Sequence, residues 1–192
     1  MSMQWKKAVL LAEMAFLAGG MAAWGEAGRG GAWNKISQDA ILSVRNDESV
    51  RWIAVKMPSV DSGRERVEFL EEVIAAADGK GGVGGGEKSA ALWLLGACGG
   101  REAVPVLLAN LEWKDEARHE MPAVASLVAI GEDAVEGLLG VVLAENETDA
   151  RKDLAVEALE GIKGAGFEAF VREQRALRGE GAALELFIHA VD

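Results

Sequence analysis

The chain has no tyrosine, one cysteine, two histidines and three prolines among its 192 residues. Each scarcity excludes something. A single cysteine, Cys98, rules out an internal disulfide. Two histidines far apart in sequence, His119 and His189, leave little material for a histidine-based metal site or for a base beside a nucleophile. The missing tyrosine, with little alternation of β-branched residues, argues against a sheet. Positive charge is also short. Lys and Arg number 20 against 31 Asp and Glu, for a net charge of −11. An acidic surface repels phosphate backbones, so nucleic-acid binding is disfavoured.

What is abundant is apolar residues, at 50%, and glycine, at 24 copies. The apolar residues are periodic, and the glycines fall mostly between the periodic stretches. Three stretches repeat at a spacing of about 32 residues. They are Lys88-x-x-Ala91-Leu92-x-x-Leu95-x-x-Cys98, Glu120-x-x-Ala123-Val124-x-x-Leu127-x-x-Ile130 and Lys152-x-x-Ala155-Val156-x-x-Leu159-x-x-Ile162. Apolar residues three and four apart at a fixed period predict stacked helical hairpins. After a short turn each stretch is followed by a second apolar stripe. Those stripes are Val104, Leu107, Leu108 and Leu111, then Val135, Leu138, Leu139 and Val142, then Phe167, Phe170 and Val171. In this register Cys98 takes the place of Ile130 and Ile162, which predicts a small buried hydrophobe. Pro122 fits if it opens its helix.

The segment Leu95-Gly96-Ala97-Cys98-Gly99-Gly100-Arg101-Glu102-Ala103-Val104-Pro105-Val106-Leu107-Leu108 resembles the short HEAT-like repeat, the type also found in phycobilisome lyases. Ala129 to Val135 repeats the pattern, with Glu136 in place of the proline; the third copy has Gly166-Phe167 where Ala-Val is expected. The resemblance covers residues 87–175 well and 37–78 loosely. It implies an all-α, right-handed α-solenoid of helical hairpins that binds proteins, and it carries over no catalytic residues.

The domain organisation follows. Residues 1–25 read as a signal peptide or N-terminal anchor. Lys6 and Lys7 precede an apolar run from Ala8 to Trp24, with small residues after it. Glu13 interrupts that run, and an amphipathic first helix of a cytoplasmic protein is the alternative reading. Residues 26–36 form a Gly-bearing linker, and 37–192 form the repeat domain. Within it, 37–78 is a degenerate first repeat closed by a helix that the capping box Ser62-Gly63-Arg64-Glu65 opens. Residues 79–86 are a Gly-rich loop, 87–178 the good repeats, and 180–191 a capping helix. Export, periplasmic or secreted, is expected; membrane contact is expected only through an uncleaved leader.

Two stretches tempt a chemical reading. Lys80-Gly81-Gly82-Val83-Gly84, ahead of Lys88-Ser89, is similar to a variant phosphate-binding loop. The preceding segment is helical rather than a strand, and Glu87 puts negative charge where phosphate would sit. Asp115, Glu116, His119 and Glu120 have metal-ligating side chains, but they fall in a connection just ahead of Pro122, and further ligands would have to come from elsewhere. Neither stretch supports an active site, so no cofactor, no metal and no enzymatic activity are expected.

The expected function is therefore a protein-interaction scaffold or adaptor, the alternative being an accessory subunit or lyase-like chaperone acting on a protein substrate. Second helices of stacked hairpins line the concave face of a solenoid. Their residues outside the expected core stripes are Val106, Asn110, Glu136, Gly137, Gly140, Val141, Glu168, Arg172 and Glu173. Trp113, just beyond the second helix of its repeat, is a further candidate anchor, and Trp93 lies in a first helix. This mixed apolar and acidic strip suits a protein partner with a basic surface.

Overall fold

The computed structural model describes residues 63–79 and 85–190, together with Ser49 and Ile53. The leader, the linker, most of the degenerate first repeat and Lys80–Gly84 lie outside the described residues. The described part is all-helical. Its elements are α1 (Gly63–Asp78), α2 (Gly85–Cys98), α3 (Gly100–Ala109), α4 (Pro122–Ile130), α5 (Glu132–Val142), α6 (Asp149–Lys163), α7 (Phe167–Arg178) and α8 (Glu180–Ile188). A short 3-10 turn, Gly164–Gly166, joins α6 to α7. Among the described residues no helix is long and apolar enough to cross a membrane.

Local chemistry explains the boundaries. Pro122 opens α4, where its missing N–H costs nothing. The Thr148 side chain caps α6 by accepting a hydrogen bond from the Arg151 N–H at 3.2 Å. The tight joints use glycine: Gly131 (φ 76°) between α4 and α5, Gly164 (φ 50°) after α6, and Gly179 (φ 92°) between α7 and α8. Gly85 and Gly86 were expected in a loop, yet they form the first turn of α2. Their N–H groups need no intrahelical partner there, and burial of Ala90, Ala91, Leu92, Leu94, Leu95 and Cys98 holds the helix despite poor propensity.

α2, α4 and α6 stack in one row, and α3 and α5 pack side by side in a second. α2 packs against α1 and α4, and α4 packs in turn against α6. α3 lies between α1 and α5, while α7 packs against α6 and α8. The core runs between the rows through Leu92, Leu95, Leu107, Leu111, Leu127, Leu138 and Leu159, all fully buried. Each such leucine is stabilised by about 1.5–3 kcal/mol relative to exposure. The repeat register is legible in the burial. Ala91, Leu92, Leu95 and Cys98 are buried, as are Ala123, Val124 and Leu127, and Ala155, Val156 and Leu159. Ile130 and Ile162 are only half-buried.

The second helices depart from the expected stripes. On α5 the buried residues are Ala134, Leu138, Leu139, Val141 and Val142, while Val135 is half-buried. α5 touches α3 and α6 as well as its hairpin partner α4, so one narrow stripe does not suffice. Gly137, expected on the free face, is a contact point. A Cβ there would stand 2.9 Å from both Leu108 Cδ1 and Val104 Cγ1 of α3.

Two glycines in α4–α5 should respond to alanine in opposite ways. Gly131 has φ 76° and ψ −135°, a region closed to residues with a Cβ. Gly131→Ala is expected to lower unfolding free energy by about 1–3 kcal/mol. Gly140 is exposed within α5 with nothing near its Cβ position. Gly140→Ala is expected to raise it by about 0.5–1 kcal/mol. Urea titrations of the two variants check both signs.

Candidate functional site

The residues expected to bind a partner divide into two groups. Val106, Asn110 and Trp113 are half-buried, and Val106 and Trp113 pack on the core. The Asn110 side chain donates to the Val106 carbonyl at 2.9 Å and so finishes the end of α3. Val141 is buried at 7% exposure, which corrects its placement on the free face; α5 is covered from its flanks. Glu136, Gly140, Glu168, Arg172 and Glu173 are exposed. Of these, Glu136 is engaged within the fold. The Arg178 guanidinium reaches it from α7 and donates to both carboxylate oxygens, at 2.6 and 2.7 Å. This pair ties α7 to α5. Its members lie 42 residues apart, so no local pattern could have revealed it.

Two lysines drawn deep into the fold share one register position. Lys88 and Lys152 occupy the first position of their repeats, and their side chains are only 8% and 12% exposed. Lys88 Nζ donates to both carboxylate oxygens of Asp78, at 2.7 and 3.0 Å, and lies 5.3 Å from the centre of the Trp113 ring. One ammonium thereby joins the end of α1, the start of α2 and the connection after α3. Trp113 is thus a partner of Lys88 as well as a core residue. Lys152 Nζ donates to Glu185 of α8 at 3.0 Å. A cleft of about 600 Å³ opens beside this pair, lined by Leu143, Glu145, Lys152, Arg178, Gly181, Ala182 and Glu185. Both cations of its wall are already engaged by carboxylates, Lys152 by Glu185 and Arg178 by Glu136.

The acidic connection before α4 is ordered. Asp115 and Glu120 form an isolated antiparallel bridge. The Asp115 carboxylate accepts from the Ala117 N–H at 3.1 Å and pairs with Arg118 at 3.3 Å. That carboxylate therefore stabilises its own turn. His119 takes a left-handed backbone conformation there (φ 56°). Among the described residues no group of three or more His, Cys, Asp or Glu is arranged to hold a metal ion.

Cys98 is buried, and its Sγ donates to the Leu94 carbonyl at 2.9 Å. Burial pushes its thiol from the ordinary 9.0 up to about 12, against a smaller opposing pull from the Arg66 guanidinium. At neutral pH it is a protonated hydrophobe rather than a nucleophile.

No protein-family model, no curated protein and no solved structure matches the chain.

Two predictions follow from these charges and this thiol. Asp78→Ala strands a buried ammonium and is expected to cost about 3 kcal/mol. Lys88→Met leaves Asp78 more than half exposed to water and keeps an apolar stem on Trp113, so less than about 1 kcal/mol is expected. Thermal or urea unfolding of the two variants gives the order, and a costlier Lys88→Met would refute it. Cys98 is expected to react with a thiol reagent at least about 100-fold more slowly in the folded protein than in denaturant. Because its folded pKa is raised, the unfolded chain loses this proton first. The contribution of the neutral thiol is fully present below about pH 9 and is lost as pH rises toward about 12. Cys98→Ala should flatten that part of the stability profile.

Proposed function

We propose that this protein is a HEAT-like, right-handed α-solenoid that works as a protein-interaction scaffold or adaptor, presenting its second helices to a partner with basic character. The observation that carries this reading is the set of charged side chains that α5 and α7 keep at the surface, Glu136, Glu168, Arg172 and Glu173 among them. The Arg178–Glu136 pair makes the exposed residues of α5 and α7 parts of one surface. A guanidinium seated on a carboxylate, as in this internal pair, is the chemistry by which a basic partner would engage the strip. Gly140 adds a place where no side chain stands, so a partner backbone can approach α5 closely.

The test compares the full chain with a variant carrying Glu136→Lys, Glu168→Lys and Glu173→Lys, each used to capture proteins from a lysate of the native host. Glu168 and Glu173 are exposed, and Glu136→Lys removes the surface pair with Arg178, worth less than about 1 kcal/mol, so the helical signal should be kept and the unfolding midpoint should fall only slightly. The expected result is a discrete protein held by the parent and reduced at least about tenfold with the variant. Equal capture by both, or no capture by either, refutes a partner on this strip.

A further inference from the structure

Helix α8 is seated with little apolar burial. Of its nine residues only Ala182 and Leu186 are buried, while Leu184, Phe187 and Ile188 stay exposed. Its backbone packs on α7. What reaches α6 is charge. Glu185 accepts from the Lys152 ammonium at 3.0 Å, and the C-cap His189 Nδ1 lies 2.5 Å from Asp153. His189 Nε2 stands 3.8 Å from Glu185, so the two contacts adjoin. The groups drawn inward are polar: the side chains of Lys152 and His189 are 12% and 9% exposed. A helix held in this way lacks the continuous apolar face that seats α2, α4 and α6.

The joint before α8 is a single residue. Gly179 ends α7 and begins α8 with φ 92° and ψ 178°, and no side chain caps α8 there. The Arg175–Glu180 pair crosses the joint at the surface, where water and salt leave it little hold. A glycine joint lets α8 swing away without disturbing α7. Two things change when it does. The cleft loses the wall formed by Gly181, Ala182 and Glu185, and Lys152 loses the carboxylate that neutralises it.

We propose that α8 is a detachable strap, which opens about Gly179 as one unit while α1 to α7 stay folded, and which by opening uncovers Lys152 and the cleft. Segments with few buried apolar groups are the ones that open below the free energy of global unfolding. The exposure of Lys152 is then set by the position of the strap and not by the stack behind it. This device does not depend on the function proposed for α5 and α7.

Amide hydrogen exchange of the full chain, with acetylation of Lys152 by N-hydroxysuccinimide acetate, tests this. The expected result is that the α8 amides share one protection factor, at least about 100-fold below that of the α4 amides. Leu186→Ala removes a fully buried side chain of the strap. It should lower that factor at least about tenfold and speed acetylation of Lys152 in the same proportion. Asp153→Ala, at an exposed position, should move both in the same direction through the lost contact with His189. Val124→Ala, buried in α4, should speed exchange of α4 and leave α8 and Lys152 unchanged. Protection that fades residue by residue toward the C-terminus is fraying and overturns the strap. So does an α8 that exchanges only together with α4, and so does Lys152 acetylation that fails to follow α8 exchange across the variants.

Discussion

Helix α2 lies so close to α4 that a methyl group on Gly96 would stand 2.5 Å from Ser126 Cβ. One repeat further on, Gly161 of α6 faces Val128 of α4 in the same way, at 2.7 Å. The first helices can stack only because glycine stands at these two crossings. The close approach lets the Ser126 hydroxyl donate to the Leu92 carbonyl of the neighbouring helix at 2.9 Å, both groups being buried. It also seals Leu92, Leu95, Leu127 and Leu159 from water. The stacking of α2, α4 and α6 follows from that spacing.

Charge is arranged around the same constraint. A tightly packed first row has no room for unpaired charge, and its two deep lysines each end on a carboxylate of another helix. The pairs also bridge separate elements. Asp78 and Lys88 span the Gly-rich junction between α1 and α2, and Lys152 with Glu185 fastens α8 to α6. Further out, Lys163 with Glu132 and Arg178 with Glu136 link repeats at the surface, where each pair is worth less than about 1 kcal/mol. The deep pairs hold the architecture, and the outer ones shape the surface that a partner would meet.

Two surfaces differ in what they offer. The exposed residues of α5 and α7 mix carboxylates with the arginines of α7 and one open glycine. The outer stripe of α8 is apolar, with Leu184, Phe187 and Ile188 exposed.

Much of this was present in the amino-acid order alone. The 32-residue register located the buried faces of α2, α4 and α6, because a repeating helix must bury the same positions each time. Gly131 and Pro122 marked helix ends through local backbone preference, which needs no partner. The sequence also held the surplus apolar residues of α8, but their meaning depended on knowing that Ala182 and Leu186 already filled its inner face. Only the tertiary structure decided the rest. It buried Val141, set Gly137 against α3, drew Lys88 over Trp113 and joined Arg178 to Glu136. Each of these depends on which helices are neighbours in space. Periodicity gives the inward face of one helix, while its flanks are covered by helices tens of residues away.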